Sequence, residues 1–333
     1  MVLSRSGLVL SRLGLGTAWL GNMYQAVEDA AAAAVVRRAL ELGVRVLDTA
    51  PLYGFGLAER RLGEALSGAP RDSFVLATKV GRVLRPRTGA DPEVPSYDNS
   101  GPLFVDAPVM HADFDFSYEA TMACLAASLQ RLGLDRVDVV LIHDPDDHFD
   151  AALDGAYRAL HDLRQQGTVG AIGVGMNQSA SLTRFARHTD VDLVLLAGQY
   201  TLLDQTALTD LLPVCRQRDV AVIVGGVYNT GILADPRPGA CYKYAVAPPA
   251  VVHRAQHMQQ ICARYGVPLK AAAIQFPFGH PAVRCVLAGV RSVEELDDNA
   301  AMLATPIPAG VWHDLRHEGL LPHSVPVPGS STP

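Results

Sequence analysis

The feature that most limits the fold of this chain is a repeated alternation between short apolar runs and longer helical patterns. Each apolar run is rich in Val, Ile, Leu or Ala, and each is followed by a segment with apolar residues at helical spacing. Strands that are apolar along their whole length are typical of parallel sheets with both faces covered. Because the alternation occurs eight times, the sequence predicts an α/β fold, a single (β/α)8 TIM barrel.

The boundaries of these elements follow from the same patterns. Barrel strands are predicted over residues 13–17, 44–48, 73–79, 137–142, 171–174, 191–196, 220–224 and 283–287. Helices are predicted over residues 28–42, 57–66, 117–132, 151–166, 179–187, 204–216, 251–265, 270–276 and 292–303. A doubly wound sheet is the rival fold, but it needs a phosphate-binding glycine turn, and Gly14-x-Gly16 lacks the third glycine.

The chain length suits one barrel, and residues 1–333 are predicted to form a single domain. Short runs at 8–13 and 13–17 predict an N-terminal hairpin that leads into the first strand. Two stretches, 81–116 and 226–250, break the alternation and are predicted as long loops at the C-terminal face. The tail, 305–333, carries Trp312; we expect it to pack across one mouth of the barrel and to fray at 330–333.

Composition and charge argue against several classes of function. The net charge of −6 is spread along the chain without a basic run, so neither nucleic acid nor a membrane surface is expected as a partner. No apolar stretch reaches the roughly 20 residues of a membrane helix and no signal peptide is evident, which predicts a cytoplasmic protein. The five cysteines form no C-x-x-C pair, so free thiols are expected. The oligomeric state stays open.

Four polar residues stand at or just beyond the ends of three consecutive predicted strands: Asp48, Tyr53, Lys79 and His143. Such strand ends face a common cavity in a barrel, so we expect the four side chains to converge. An ammonium beside Tyr53 should lower the phenol pKa, Asp48 should hold the lysine, and His143 can hydrogen-bond a substrate oxygen. This chemistry moves a proton to or from a carbinol or carbonyl oxygen, and the electrons then require a cofactor.

The residues after His143 imitate a metal site, because His148 stands near Asp144, Asp146 and Asp147. Acids in solvated loops are much commoner than metal ligands, and no His-x-His pair occurs in the chain. We therefore predict no metal, although a metal-dependent barrel hydrolase stays open as an alternative.

Several motifs resemble the aldo-keto reductase superfamily in order, spacing and residue type. They are Gly-x-Gly-Thr at 14–17, Leu-Asp-Thr-Ala-x-x-Tyr-Gly at 47–54, and the strand ends at 77–79, 141–143 and 172–177. The resemblance covers nearly the whole chain and implies that Asp48, Tyr53, Lys79 and His143 form the catalytic tetrad, with Tyr53 as general acid/base. Trp19 falls where the family often has a substrate-contacting aromatic residue. The predicted substrate contacts are therefore Trp19, Tyr53, His143 and, from the first long loop, His111.

The resemblance also implies a nicotinamide cofactor. Asn177 and Gln199 match residues that hold the nicotinamide carboxamide, and Thr17 and Asp48 match positions that touch its ribose. The other predicted cofactor-binding residues are Gly16, Gly226, Tyr228, Asn229, Gly231, Gly289, Arg291, Ser292, Glu295 and Asn299.

Some positions depart from the family pattern. Gly225 replaces a tyrosine that stacks on the nicotinamide in many members, so another group must support the ring. Met176 stands where serine is common, which puts one hydrogen bond to the carboxamide in question. NADPH-preferring relatives tend to have lysine at the position of Gly289 and arginine at that of Glu295. Because a carboxylate repels a 2′-phosphate, NAD is predicted over NADP, although Arg291 could still reach a phosphate.

The runs 116–118, 129–134, 199–203 and 228–233 look like the branch that contains aldose 1-dehydrogenases of the L-fucose and D-threo-aldose type, L-galactose dehydrogenase and pyridoxal 4-dehydrogenase. Their substrates share a cyclic hemiacetal carbon that is oxidised to a lactone. The resemblance thus implies a sugar 1-dehydrogenase. Pyridoxal oxidation to 4-pyridoxolactone and carbonyl reduction are the alternatives, and a sensor or channel-associated subunit that binds the cofactor without turnover also stays open.

Overall fold

The computed structural model describes residues 1–88 and 102–329, and its centre is a closed barrel of parallel strands. The strands are β1 (Leu13–Gly16), β2 (Val46–Asp48), β3 (Val75–Val80), β4 (Arg82–Pro86), β5 (Met110–Phe114), β6 (Val139–His143), β7 (Ala171–Met176), β8 (Leu193–Ala197), β9 (Ala221–Gly225), β10 (Cys241–Tyr242), β11 (Ala245–Val246) and β12 (Val283–Gly289). Around the barrel the order is β1-β2-β3-β6-β7-β8-β9-β12, and β12 pairs with β1 to close it. The predicted TIM barrel is confirmed.

Helices surround the barrel, as the apolar outer faces of its strands require. They are α1 (Asp29–Glu41), α2 (Leu57–Leu66), α3 (Tyr118–Leu132), α4 (Phe149–Ala151), α5 (Arg158–Gln165), α6 (Ser179–His188), α7 (Leu211–Arg218), α8 (Pro249–Arg264), α9 (Leu269–Gln275), α10 (Val293–Ala304) and α11 (Ala309–His317). A π-helical segment, Ala152–Tyr157, joins α4 to α5. The helix α3 begins where the Ser117 side chain accepts a hydrogen bond from the Ala120 N–H, and Gly133 ends it at a positive φ of 62°.

One predicted helix, 204–216, begins later than expected, at Leu211. The Asp204 carboxylate accepts a hydrogen bond from the Thr206 N–H, 3.0 Å away, and the Thr201 hydroxyl accepts another from the Asp204 N–H. These local side-chain bonds compete with helical pairing and hold the segment in a turn.

The inside of the barrel has its own apolar core. Alternate residues point inward, so Val46 lies in the interior cluster and Leu47 in the outer one. Leu3 and Leu10 join the interior cluster and fill the N-terminal mouth. The N-terminal hairpin therefore lies earlier than predicted. It brings Val2 opposite Val9, where the sequence had indicated residues 8–17.

Both long excursions contain a hairpin. In the first, β4 pairs with β5 in antiparallel register; in the second, β10 pairs with β11. Tyr97, one of the aromatic residues of the first excursion, lies outside the described residues. The excursions leave from the carboxyl ends of β3 and β9, so they flank the same mouth of the barrel.

The C-terminal tail packs in a different place from the one predicted. The helix α11 packs on the outer helix α8, where the His257 ring lies 2.6 Å from the Glu318 carboxylate. Trp312 is buried against Phe276, with ring centroids 6.5 Å apart. The prediction that the tail crosses a barrel mouth is wrong, because its apolar side chains fill the surface of α8 and the turn before β12; residues 330–333 are outside the described range. Within the described chain, every helix is too short or too polar to span a bilayer.

Candidate active site

The candidate site lies at the carboxyl ends of β2, β3 and β6. Residues two positions earlier on these strands belong to the interior core, and the period of two therefore points Asp48, Lys79 and His143 into the barrel as well. All three are buried. Gly175 on β7 borders the lysine, since an added Cβ there would lie 3.8 Å from Lys79 Cε, in ordinary van der Waals contact.

Lys79 links the other members of the site. Its ammonium donates hydrogen bonds to Asp48 Oδ1 at 2.7 Å, to the Thr49 carbonyl oxygen at 2.9 Å and to the Tyr53 hydroxyl at 3.1 Å. An ammonium has three donors, so all three are used. Tyr53 arrives from the loop after β2 and is half-buried.

The protonation of Tyr53 and Lys79 differs in part from what the sequence predicted. Burial raises the pKa of Tyr53 to about 12; the Lys79 ammonium acts in the opposite direction but does not outweigh the loss of water. The expected net lowering of the phenol pKa is therefore wrong. Burial also opposes the charged form of Lys79, but Asp48 and Tyr53 overcome it, raise the lysine pKa and keep the ammonium charged.

His143 faces Tyr53 edge to face, with ring centroids 5.9 Å apart and an interplanar angle of 89°. Burial lowers the pKa of His143 to about 3, although Asp144 opposes this shift. The imidazole is thus neutral near pH 7 and can donate a single hydrogen bond. Arg82 pairs with Asp144 at 2.8 Å and so holds this carboxylate next to His143.

Two apolar walls flank the four residues. On one side the Tyr53 ring packs in a small cluster with Leu52, Leu103 and Phe104. On the other side Phe114 and Phe116 pack against His148, and the Arg82 guanidinium lies 4.0 Å from the centre of the Phe114 ring.

The other two residues predicted to contact the substrate, Trp19 and His111, have neighbours outside the group of four. Trp19 turns towards β12: a Cβ on Gly289 would come 2.8 Å from its ring, and the Arg291 guanidinium lies 5.1 Å from its centroid. His111 lies on β5, where its Nε2 is 3.3 Å from the Asp113 carboxylate. Contact of either residue with a substrate stays a prediction.

The residues near the tetrad fit a nicotinamide group. Asp48 Oδ2 is buried and has no hydrogen-bond partner within the described chain, so it can accept a bond from a ribose hydroxyl. The Thr17 hydroxyl donates to the Asp48 carbonyl oxygen and fixes this strand end. Gln199 Oε1 accepts from the Ser179 N–H at 2.9 Å, which leaves its amide N–H groups for another acceptor. Asn177 lies at the end of the neighbouring β7.

The residues predicted to bind the adenosine part of the cofactor differ from those near the nicotinamide, because their side chains are already hydrogen-bonded to each other. Glu295 accepts hydrogen bonds from the Arg291 backbone and guanidinium, and the Ser292 hydroxyl caps α10. Tyr228 donates to Asn299 at 2.8 Å.

Asn229 is buried between the Thr201 hydroxyl and the Gly198 carbonyl oxygen, so its side chain holds two loops together. Gly226, Gly231 and Gly289 are exposed and Gly16 is half-buried, and none of them has a side chain that would keep a ligand from the backbone. In the part of the chain that the structure describes, no three His, Cys, Asp or Glu residues are placed to hold a metal ion.

A family model described as "Aldo/keto reductase family" matches residues 12–317. The chain belongs to the aldo/keto reductase family. Enzymes of this family are oxidoreductases that use nicotinamide cofactors, which agrees with the fit of the site. The closed barrel excludes the doubly wound sheet, which was the rival fold.

Two curated proteins are similar to this aldo/keto reductase along nearly their whole length. D-threo-aldose 1-dehydrogenase from Pseudomonas sp is 41% identical over 95% of this chain and 96% of its own. Pyridoxal 4-dehydrogenase from Microbacterium luteolum is 38% identical over 96% and 97%. The solved holo form of aldo-keto reductase AKR11C1 from Bacillus halodurans superposes with a TM-score of 0.73, 25% identity and coverage of 98% and 97%. The branch indicated by the sequence is confirmed.

The geometry adds residues to this aldo/keto reductase site that sequence patterns had not assigned. Arg82 and Asp144 adjoin His143, and Tyr244 reaches Asn177 from the second excursion. Asp144 had been visible only as one of several loop acids. Tyr244 had been visible only as one of three tyrosines between residues 226 and 250.

Proposed function

We propose that this protein is an aldose 1-dehydrogenase that oxidises the hemiacetal carbon of a sugar to a lactone. The observation that carries the proposal is the buried Lys79 ammonium, which bonds both Asp48 and Tyr53 beneath the neutral His143 ring. The similarity to D-threo-aldose 1-dehydrogenase supports the choice of substrate class.

The reaction removes a proton from the sugar hydroxyl and a hydride from the same carbon. Tyr53, as the phenolate, accepts the proton, and its charge is stabilised by Lys79 at 3.1 Å. His143 donates a hydrogen bond to the same oxygen and orients it. The nicotinamide cofactor, when bound, accepts the hydride. Loss of both leaves a carbonyl at the ring carbon, which is the lactone.

Polar groups beside His143 suit a polyhydroxylated substrate. Arg82 and Asp144 pair with each other, yet the guanidinium Nε is buried without a hydrogen-bond partner among the described residues. Sugar hydroxyls both donate and accept, so they can bind to such a pair. We include Arg82 and Asp144 in the proposed substrate pocket.

For the cofactor we propose a preference for NAD. The carboxylate of Glu295 stands at the start of α10 and would repel a 2′-phosphate. Gly289 offers no cation in place of the lysine of NADPH-preferring relatives, and the Trp19 ring packs so closely on it that a longer side chain would require movement.

A second candidate function is oxidation of pyridoxal to 4-pyridoxolactone. The similarity to pyridoxal 4-dehydrogenase supports it, and the aromatic wall formed by Phe114, Phe116 and His148 suits a flat ring. Stacking on such a wall would favour pyridoxal over a saturated sugar ring.

The test is a panel of aldoses, including L-fucose and D-threo-aldoses, together with pyridoxal, each with NAD and with NADP. Formation of reduced nicotinamide is followed by absorbance, with and without a chelator. We expect the highest kcat/KM for an aldose with NAD and no effect of chelation. A higher value for pyridoxal favours the second candidate. Turnover with none of these substrates contradicts both, and loss of activity on chelation contradicts a metal-free mechanism.

A further inference from the structure

The hairpin β10–β11 carries an unusual turn. Cys241 pairs with Val246 and Tyr242 with Ala245, so the turn has two residues, Lys243 and Tyr244. Their φ angles are +51° and +66°. Two positive φ values are typical of a type I′ turn, which normally takes Asn or Gly. A lysine and a tyrosine in this conformation need other contacts to hold them there.

Those contacts come from both neighbouring loops. The Lys243 ammonium lies 2.9 Å from the carboxylate of the buried Asp204. The Tyr244 N–H donates to the Thr230 hydroxyl at 3.2 Å, and the Ala247 N–H donates to the Ala240 carbonyl oxygen at 2.8 Å. The turn is therefore fixed to the loop after β8 and to the loop after β9.

The Tyr244 side chain reaches from this position across the barrel mouth. Its backbone is held at Thr230, beyond the end of β9, and its hydroxyl is hydrogen-bonded to the Asn177 side chain at the end of β7. The strand β8 lies between β9 and β7, so the phenol passes over the end of β8.

The ends of β8 and β9, which lie between these two attachment points, are rich in glycine. Gly225 ends β9, Gly226 follows it, and Gly198 follows β8. A Cβ added to Gly225 would lie 3.6 Å from the Leu195 side chain and 3.7 Å from that of Ala197, which is ordinary van der Waals contact. Met176, the residue before Asn177, is buried and supplies no hydroxyl there. Tyr244 therefore brings a ring and a hydroxyl near strand ends whose own residues at 176, 225 and 226 carry neither.

We propose that Tyr244 is a cofactor-positioning residue, which fixes the Asn177 amide and covers the glycine surface so that the nicotinamide carboxamide meets a preset partner. The inference rests on the proposed function, in which Asn177 binds that carboxamide. An amide can present either its oxygen or its N–H groups to a ligand after a half-turn. A hydroxyl bound to one side of Asn177 selects one of these orientations before the cofactor arrives, which lowers the cost of binding.

The phenol stays neutral in this position, as the proposal requires. Burial raises the pKa of Tyr244 and the nearby Asp144 adds to the shift, while the bond from Asn177 acts against it. A neutral hydroxyl remains a donor as well as an acceptor.

The experiment compares Tyr244→Phe with Tyr242→Phe, the same substitution two residues earlier on the same hairpin. Dissociation constants are measured by titration calorimetry for NADH and for ADP-ribose, which has no nicotinamide ring. We expect Tyr244→Phe to weaken NADH binding about 5- to 10-fold, the effect of one lost hydrogen bond, and to leave ADP-ribose binding unchanged. Tyr242→Phe should change neither constant.

Equal weakening of NADH and ADP-ribose would mean a merely structural hairpin and would overturn the inference, as would no change at all. A second arm adds Tyr244→Phe to an Asn177→Ala background, where it should have no further effect on NADH binding if it acts through the amide. The wild-type protein is assayed first. If it binds NADH and oxidises an aldose, a failure concerns Tyr244 alone; if it does not bind NADH, the proposed function fails and this inference with it.

Discussion

At the end of β3, the Lys79 ammonium directs its donors to Asp48, Thr49 and Tyr53, and this geometry sets the charge of the site. An arginine would present its donors in a planar fork, a different geometry from the three donors of an ammonium. Burial still raises the Tyr53 pKa to about 12, so most of the enzyme carries a neutral phenol near pH 7. That form suits proton donation, whereas oxidation of a hydroxyl requires the phenolate.

Replacement of the phenol tests this directly. We expect Tyr53→Phe to lower kcat for aldose oxidation by roughly 10² to 10⁴, because the proton acceptor is lost. In the wild type the rate should rise with pH, since the phenolate fraction grows as pH approaches about 12. Steady-state kinetics from pH 7 to 10 check both statements.

Tyr118→Phe is the control for Tyr53→Phe, because the Tyr118 hydroxyl bonds Asp162 on the outer surface. It should retain wild-type kcat and the same pH profile. Full activity in Tyr53→Phe, or an unchanged rise of its residual rate with pH, would contradict the acid/base assignment.

Glu295 and Arg291 are the residues that decide the choice of cofactor in our proposal. In Glu295→Gln the guanidinium loses its carboxylate partner and becomes available to a 2′-phosphate. We expect kcat/KM with NADP to rise about 10-fold relative to that with NAD, roughly 1.4 kcal/mol. The exposed neighbour provides the control: Glu294→Gln should leave the ratio unchanged. An unchanged ratio in Glu295→Gln would argue that the adenosine lies elsewhere.

Among the elements, α2 and α3 show how closely two barrel helices can pack. Gly63 lies in α2 directly on the last turn of α3, and a Cβ there would come 2.0 Å from the Leu132 carbonyl oxygen. The approach matters for the site, because α2 follows the loop that carries Tyr53. Its carboxylate Glu59 is buried between Arg131 on α3 and Thr78 on β3, which ties the two helices to the strand of Lys79.

We expect Gly63→Ala to destabilise the protein by about 1 to 3 kcal/mol, since backbone must move to admit one methyl group. Urea unfolding measures the change. The matched control is Glu64→Ala, one position further on the exposed face of the same helix, with an expected change within about 0.5 kcal/mol. Equal stability of Gly63→Ala and the wild type would show that α2 and α3 can separate at low cost.

At the scale of the whole molecule, buried histidines connect stability to pH. Burial lowers the pKa of His143 to about 3 and that of His280 to about 4. Both groups take up a proton near pH 6.5 when the chain is unfolded, but not while it is folded. Their contribution to stability is therefore complete above pH 6.5 and is lost as pH falls from 6.5 towards these folded values.

Between pH 8 and pH 5, each of the two histidines should remove about 2 kcal/mol from the free energy of unfolding. His280→Gln, far from the tetrad, should therefore lose about 2 kcal/mol less than the wild type over this interval. Urea titrations at both pH values give the difference. His253→Gln, at an exposed position, should match the wild type; an identical loss in His280→Gln would contradict neutral burial.

Much of the fold was readable from local patterns. Ser117 and Gly133 mark the ends of α3, and the apolar run before Asp48 ends where β2 ends, because capping and strand burial depend on neighbours in sequence. Predictions failed where side-chain contacts, local in one case and long-range in the other, outweighed the sequence pattern. Thr201 and Asp204 delay α7, and packing of Trp312 on Phe276 draws the tail onto α8.

What the sequence determined by itself was the order of the strands and the residue types at their carboxyl ends, including Asp48, Lys79 and His143, because the strand period of two carries each of them to the barrel interior. Only the tertiary structure decided the charge states of the side chains in the site and their hydrogen-bond partners. Burial, a property of the assembled barrel, raises the Tyr53 pKa against the effect of Lys79. The bond between Tyr244 and Asn177 joins loops that only the pairing of β7, β8 and β9 brings together.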